Sequence, residues 1–68
     1  MYKLISKKYF VENISYIGYG IATIDETVRI EDINTEKGEI EKLIERCNEF
    51  DVSPIHLRDI VIDFLNKI

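Results

Sequence analysis

The chain changes period near its middle. Residues 2–11 (YKLISKKYFV) and 14–24 (ISYIGYGIATI) are rich in aromatic and β-branched side chains and read as strands. Glu12-Asn13 lies between them as a two-residue turn, with Asn13 suited to a positive φ. Residues 27–33 (TVRIEDI) set Val28 and Ile30 against Arg29 and Glu31, the alternation of a half-buried third strand, after a weaker turn at Asp25-Glu26.

Two-residue turns give a definite register. Tyr9 faces Tyr16, Ile5 faces Gly20, Leu4 faces Ile21, and Ile21 faces Ile30. Leu4, Phe10, Ile17, Tyr19, Ile21, Val28 and Ile30 then share one sheet face, taken as the core face. Lys3, Ile5, Lys7, Tyr9, Tyr16, Gly18, Gly20, Ala22 and Arg29 share the other. Gly18 and Gly20 would mark a bulge able to slip this register.

From Thr35 onward the apolar spacing becomes helical. Thr35 reads as an N-cap, with Glu36 and Glu39 favoured by the dipole of the first turn. Over residues 36–51, Ile40, Leu43, Ile44, Cys47 and Phe50 form one face, and Glu41, Lys42, Glu45, Arg46 and Glu49 the other. Ser53-Pro54 is a cap followed by a proline at the first helical position. The helix it opens, residues 54–67, carries its main stripe on Leu57, Ile60, Val61, Phe64, Leu65 and Ile68. The expected fold is α+β, a single domain with a three-stranded antiparallel meander followed by two helices packed on one sheet face.

Sixty-eight residues make one small core, worth roughly 3–5 kcal/mol of net stability. Pairing with a second copy is a common way for so short a chain to gain more, so a homodimer is an expectation. The apolar fraction of 46% excludes disorder. The net charge of −4 argues against nucleic acid or an anionic membrane as the main partner. That charge is uneven: residues 1–24 hold three lysines against one glutamate, and residues 25–68 six basic against twelve acidic side chains. No apolar run has signal-peptide or membrane-spanning length, and one cysteine excludes an internal disulfide. A cytoplasmic protein without metal or cofactor is expected.

Few side chains are candidates for chemistry. His56 has Arg58 and Asp59 nearby but no serine, cysteine or second histidine placed to serve it. Asp59 and Asp63 stand one helical turn apart without a third acidic ligand. Cys47 lies on a buried stripe, where a thiol is a small inert hydrophobe. Gly18 and Gly20 interrupt a strand instead of opening a helix, so close backbone approach or packing room explains them better than a phosphate loop. No enzyme is expected.

Two surfaces remain. Ile55, Asp59 and Ile62 share the side of the second helix opposite its main stripe, so Ile55, His56, Arg58, Asp59 and Ile62 form a candidate docking face, unless the chain's own packing covers it. On the outer sheet face, Tyr9 and Tyr16 stand among Lys3, Lys7 and Arg29. Tyrosine and arginine are enriched at protein interfaces, and aromatics with lysines can also stack bases. An ordinary solvent face with a stabilising aromatic pair accounts for the same residues. The expected function is a small regulatory or adaptor module acting by protein–protein contact. The alternative is a nucleic-acid or nucleotide binder using Lys3, Lys7, Tyr9, Tyr16 and Arg29.

Residues 30–65 carry a more particular pattern: Glu31-Asp32-Ile33, Thr35, Cys47-Asn48, Ser53-Pro54-Ile55-His56-Leu57, Asp59, then Asp63-Phe64-Leu65. With the LISKKYF and IGYGIA segments, this resembles a family of small uncharacterised Firmicutes proteins, clostridial ones included, whose domain has no known function. The resemblance implies a bacterial cytosolic protein and supplies no activity, cofactor or catalytic residue.

Overall fold

A computed structural model describes residues 1–66. Strands β1 (Tyr2–Val11), β2 (Ile14–Thr23) and β3 (Arg29–Asn34) form one sheet in that order, followed by helices α1 (Lys37–Glu49) and α2 (Pro54–Asn66). Both strand pairs are antiparallel. This is the expected α+β meander with two helices. The ends of α2 anticipated at Lys67 and Ile68 lie outside the described residues.

The first turn sets the register. Glu12 and Asn13 both have positive φ, 48° and 70°, as a type I′ turn demands, and its twist matches the flanking strands. Val11 therefore pairs with Ile14, and the ladder runs through Tyr9–Tyr16, Ile5–Gly20 and Leu4–Ile21 as anticipated. Ile21 pairs with Ile30, also as anticipated. β3 begins at Arg29, two residues later than its alternation suggests, because Asp25 organises a longer loop. The Asp25 carboxylate accepts from the Thr23 hydroxyl (2.8 Å), the Thr27 hydroxyl (2.9 Å) and the Thr27 amide (3.2 Å). Hydrogen bonding, chiefly from Thr23, holds Asp25 below the usual carboxylate range. Lys3, which donates to Glu26 at 3.0 Å, does the same for Glu26. A depressed carboxyl stabilises the fold above its unfolded-state pKa, and that contribution goes as pH falls through the folded value. The expected result is a fall in the amide protection factors of Thr27 and Val28 below about pH 4, reproduced at neutral pH by Asp25→Ala.

A bulge does occur at Gly20, but in the β2–β3 ladder and not the β1–β2 one. Tyr19 pairs with Asn34 and Ile21 with Ile30, so Gly20 alone opposes three β3 residues. Asp32 takes φ 53° within them. A Cβ on Gly20 would strike the Ile30 carbonyl and sit 3.0 Å from the Glu31 Cα. On Gly18 it would meet the Asp32 carboxylate and the Tyr9 ring. Close approach is what both glycines provide.

α1 starts after Glu36, not Thr35. Glu36 makes no side-chain cap; the Asn34 carboxamide oxygen instead accepts from the Glu36 amide at 2.9 Å. The helix closes in a Schellman motif: Val52 N–H donates to Cys47 O at 3.0 Å and Asp51 N–H to Asn48 O at 3.3 Å. Asp51 (φ 49°) occupies the left-handed position usually given to glycine. That early stop leaves Phe50 exposed, a correction to its place on the buried stripe.

Ile21, Ile40, Leu57 and Cys47 are fully enclosed, and Tyr2, Leu43, Ile44 and Val61 complete the buried cluster. Leu4, Tyr19 and Ile30 pack against it from the sheet, and Val28 from the loop before β3, all on the side their face assignment requires. Phe10 (74% exposed) and Ile17 (48%) share that face but not the core. The reason is length. A 13-residue helix covers about 20 Å, whereas a 10-residue strand runs about 33 Å. The hairpin therefore outreaches the helices, and the molecule is elongated at 39 × 27 × 18 Å.

Candidate interaction surfaces

α2 begins as its sequence suggests. Pro54 is the first helical residue, the Ile55 amide donates to the Ser53 hydroxyl at 3.4 Å, and the His56 amide donates to Ser53 O at 2.9 Å. Leu57 and Val61 are buried, with Ile60 and Phe64 packed beside them. Leu65 stays exposed. The far side is uncovered: Ile55 is 83% exposed and Ile62 50%. His56, Arg58 and Asp59 are exposed between them. The chain's own packing therefore leaves both isoleucines to solvent.

The outer sheet face is more ordered than its composition suggests. Tyr9 and Tyr16 stack with centroids 5.4 Å apart and planes at 20°, and the Lys7 ammonium lies 5.7 Å from the Tyr9 ring. Acidic side chains from the β3 bulge reach the same place. Tyr16 Oη donates to Asp32 at 2.9 Å, and Tyr9 Oη points at Glu31 at 3.5 Å. Desolvation, with the charges of Glu31 and Asp32, pushes the Tyr9 phenol up; the hydrogen bond to Asp32 leads the rise at Tyr16. Arg29 bridges Glu26 and Glu31, and Lys3 also pairs with Glu26. Of the basic residues grouped here, Lys3 and Arg29 are thus matched by carboxylates. The sequence signal for this is present in Glu26, Glu31 and Asp32, but it takes the bulge to place Glu31 and Asp32 and the loop before β3 to place Glu26.

The hairpin arm is a third surface. Phe10, Val11, Ile14 and Ile17 are exposed at its end, and the Lys8 ammonium lies 5.4 Å from the Phe10 ring. A fourth feature is an open groove between the helices, lined by Leu43, Cys47, Phe50, Val52, Ile60 and Phe64, with Arg46 and Asp63 at its margin. Burial pushes the Cys47 thiol up, which keeps it protonated and unreactive. Among the described residues no three His, Cys, Asp or Glu side chains converge as a metal site. No helix among them is long and apolar enough to cross a membrane.

The sheet and its bulge, the Schellman turn and the Ser53-Pro54 start draw on residues from end to end of the chain. A family model described as "Family of unknown function (DUF6514)" matches residues 1–67. The chain belongs to this family. No curated protein and no solved structure matches it. DUF6514 membership brings no activity with it.

Proposed function

We propose that this DUF6514 chain is a small non-enzymatic module, regulatory or adaptor in kind, that binds a protein partner through the outer side of α2. The observation that supports this is the pair Ile55 and Ile62, left to solvent two turns apart while the opposite side of the same helix fills the core. Apolar side chains flanked by His56, Arg58 and Asp59 make an apolar centre with a polar rim. The partner is another protein or a second copy, and the reading places both in the cytoplasm of a Firmicutes-type bacterium.

The nucleic-acid alternative draws on the Tyr9–Tyr16 stack, but the carboxylates of Glu26, Glu31 and Asp32 oppose a phosphate backbone there. Titration with a single-stranded oligonucleotide at low salt is expected to give no binding. Salt-dependent binding lost in Tyr9→Ala and Lys7→Ala would put that alternative first.

The direct test is affinity capture and sedimentation on wild type and the double variant Ile55→Asp/Ile62→Asp. A partner, or a dimer, that the folded double variant loses supports the reading. Identical partners and identical mass for the two proteins would sink it.

A further inference from the structure

We infer that the open edge of β1, from Leu4 to Phe10, takes an extended acidic segment of a partner protein as a fourth strand. The sheet order leaves β1 at an edge. A two-residue turn makes Val11 and Ile14 a hydrogen-bonded pair, so odd-numbered β1 residues bond to β2. Met1 fits this alternation, since its carbonyl accepts from the Ile24 amide at 3.1 Å. The even-numbered residues therefore turn their amides and carbonyls outward.

The protein itself occupies the first of these positions. The Tyr2 amide donates to the Asn48 Oδ1 at 2.8 Å, and Asn48 Nδ2 donates to the Tyr2 carbonyl at 3.2 Å. One side-chain amide from α1 thus stands in for the backbone of a neighbouring strand. Beyond it, among the described residues, no bond reaches the outward groups of Leu4, Ser6, Lys8 or Phe10. Four successive outward-facing residues are enough to receive a short strand, with main-chain bonds supplying affinity and side chains supplying choice.

Charge selects the occupant. β1 carries Lys3, Lys7 and Lys8 and no acid, on a chain of net charge −4. Lys3 is held by Glu26, while Lys7 and Lys8 lie over the Tyr9 and Phe10 rings at the exposed end of the strand. Edge lysines discourage pairing with another β1, which would bring three more lysines to the same edge. They favour an acidic strand that sets apolar residues beside Phe10 on one face and carboxylates beside Lys7 on the other.

The probe is a capped eight-residue peptide alternating Glu with Val, compared with one alternating Lys with Val, followed by amide NMR and hydrogen exchange on the whole protein. The Glu peptide is expected to shift and protect the Leu4, Ser6, Lys8 and Phe10 amides, and the Lys peptide to do so far less. Ser6→Pro removes one outward amide without touching the β2 ladder and should abolish the effect. Lys7→Glu/Lys8→Glu should weaken binding about tenfold; if Ser6→Pro fails to fold, this double variant decides alone. Equal binding of both peptides, or no protection of these amides, overturns the inference. So does concentration-dependent protection without peptide, which would make a second copy the occupant. Ile62→Asp should leave the peptide effect intact, so this edge and the α2 surface stand or fall separately.

Discussion

Gly20→Ala is expected to lower stability by about 1–3 kcal/mol, a large share of the roughly 3–5 kcal/mol that a core of this size supplies. The obstacle to the new methyl is the β3 backbone itself, at the Ile30 carbonyl and the Glu31 Cα. Relief requires β3 to move away from β2, and Ile30 and Ile33 pack on the core from that strand. Gly18→Ala is the control. Its methyl would meet the Asp32 carboxylate and the Tyr9 ring, side chains on the outer face that can give way by loosening their contacts with Tyr16. Urea unfolding should show a markedly lower midpoint for Gly20→Ala and a smaller change for Gly18→Ala, with the Tyr16–Asp32 contact perturbed in the latter. Equal costs at the two positions would mean that β3 is not held against β2 by the bulge.

The same bulge shows how far the sequence could be read. Glu12-Asn13 specified the β1–β2 register because a two-residue turn admits one pairing, and Tyr9 opposite Tyr16 followed from it. The glycines announced close approach but not which neighbour approached, since that depends on where β3 bends. The helical pattern found the faces of both helices but overran α1, because Asp51 in a left-handed conformation is an uncommon stop that spacing does not reveal. The alternation puts Phe10 and Ile17 on the correct sheet face and on the wrong side of the core boundary. Period fixes direction across the sheet, whereas coverage depends on the relative lengths of strand and helix. The candidate α2 face was legible as a second apolar stripe, and its exposure was not, because only packing decides whether such a stripe is covered.

That exposure gives the second large effect its contrast. Leu57→Ala is expected to cost about 2–5 kcal/mol and to leave the chain mostly unfolded at 37 °C. Leu57 is fully enclosed and joins α2 to the cluster formed by Ile21, Ile40 and Cys47. Ile62, on the same helix, is half exposed. Ile62→Asp should cost no more than about 1 kcal/mol and should keep the native circular dichroism spectrum and urea midpoint. The two variants separate packing from recognition on one element. A helix retained only to cover the sheet needs Leu57 and Val61 and gains nothing from isoleucine at positions 55 and 62. Selective loss of partner binding in the stable Ile62→Asp protein would assign those positions to recognition. If Ile62→Asp unfolds the chain as Leu57→Ala does, Ile62 belongs to the core and recognition through it falls, while the β1 edge is still decided by its own peptide test.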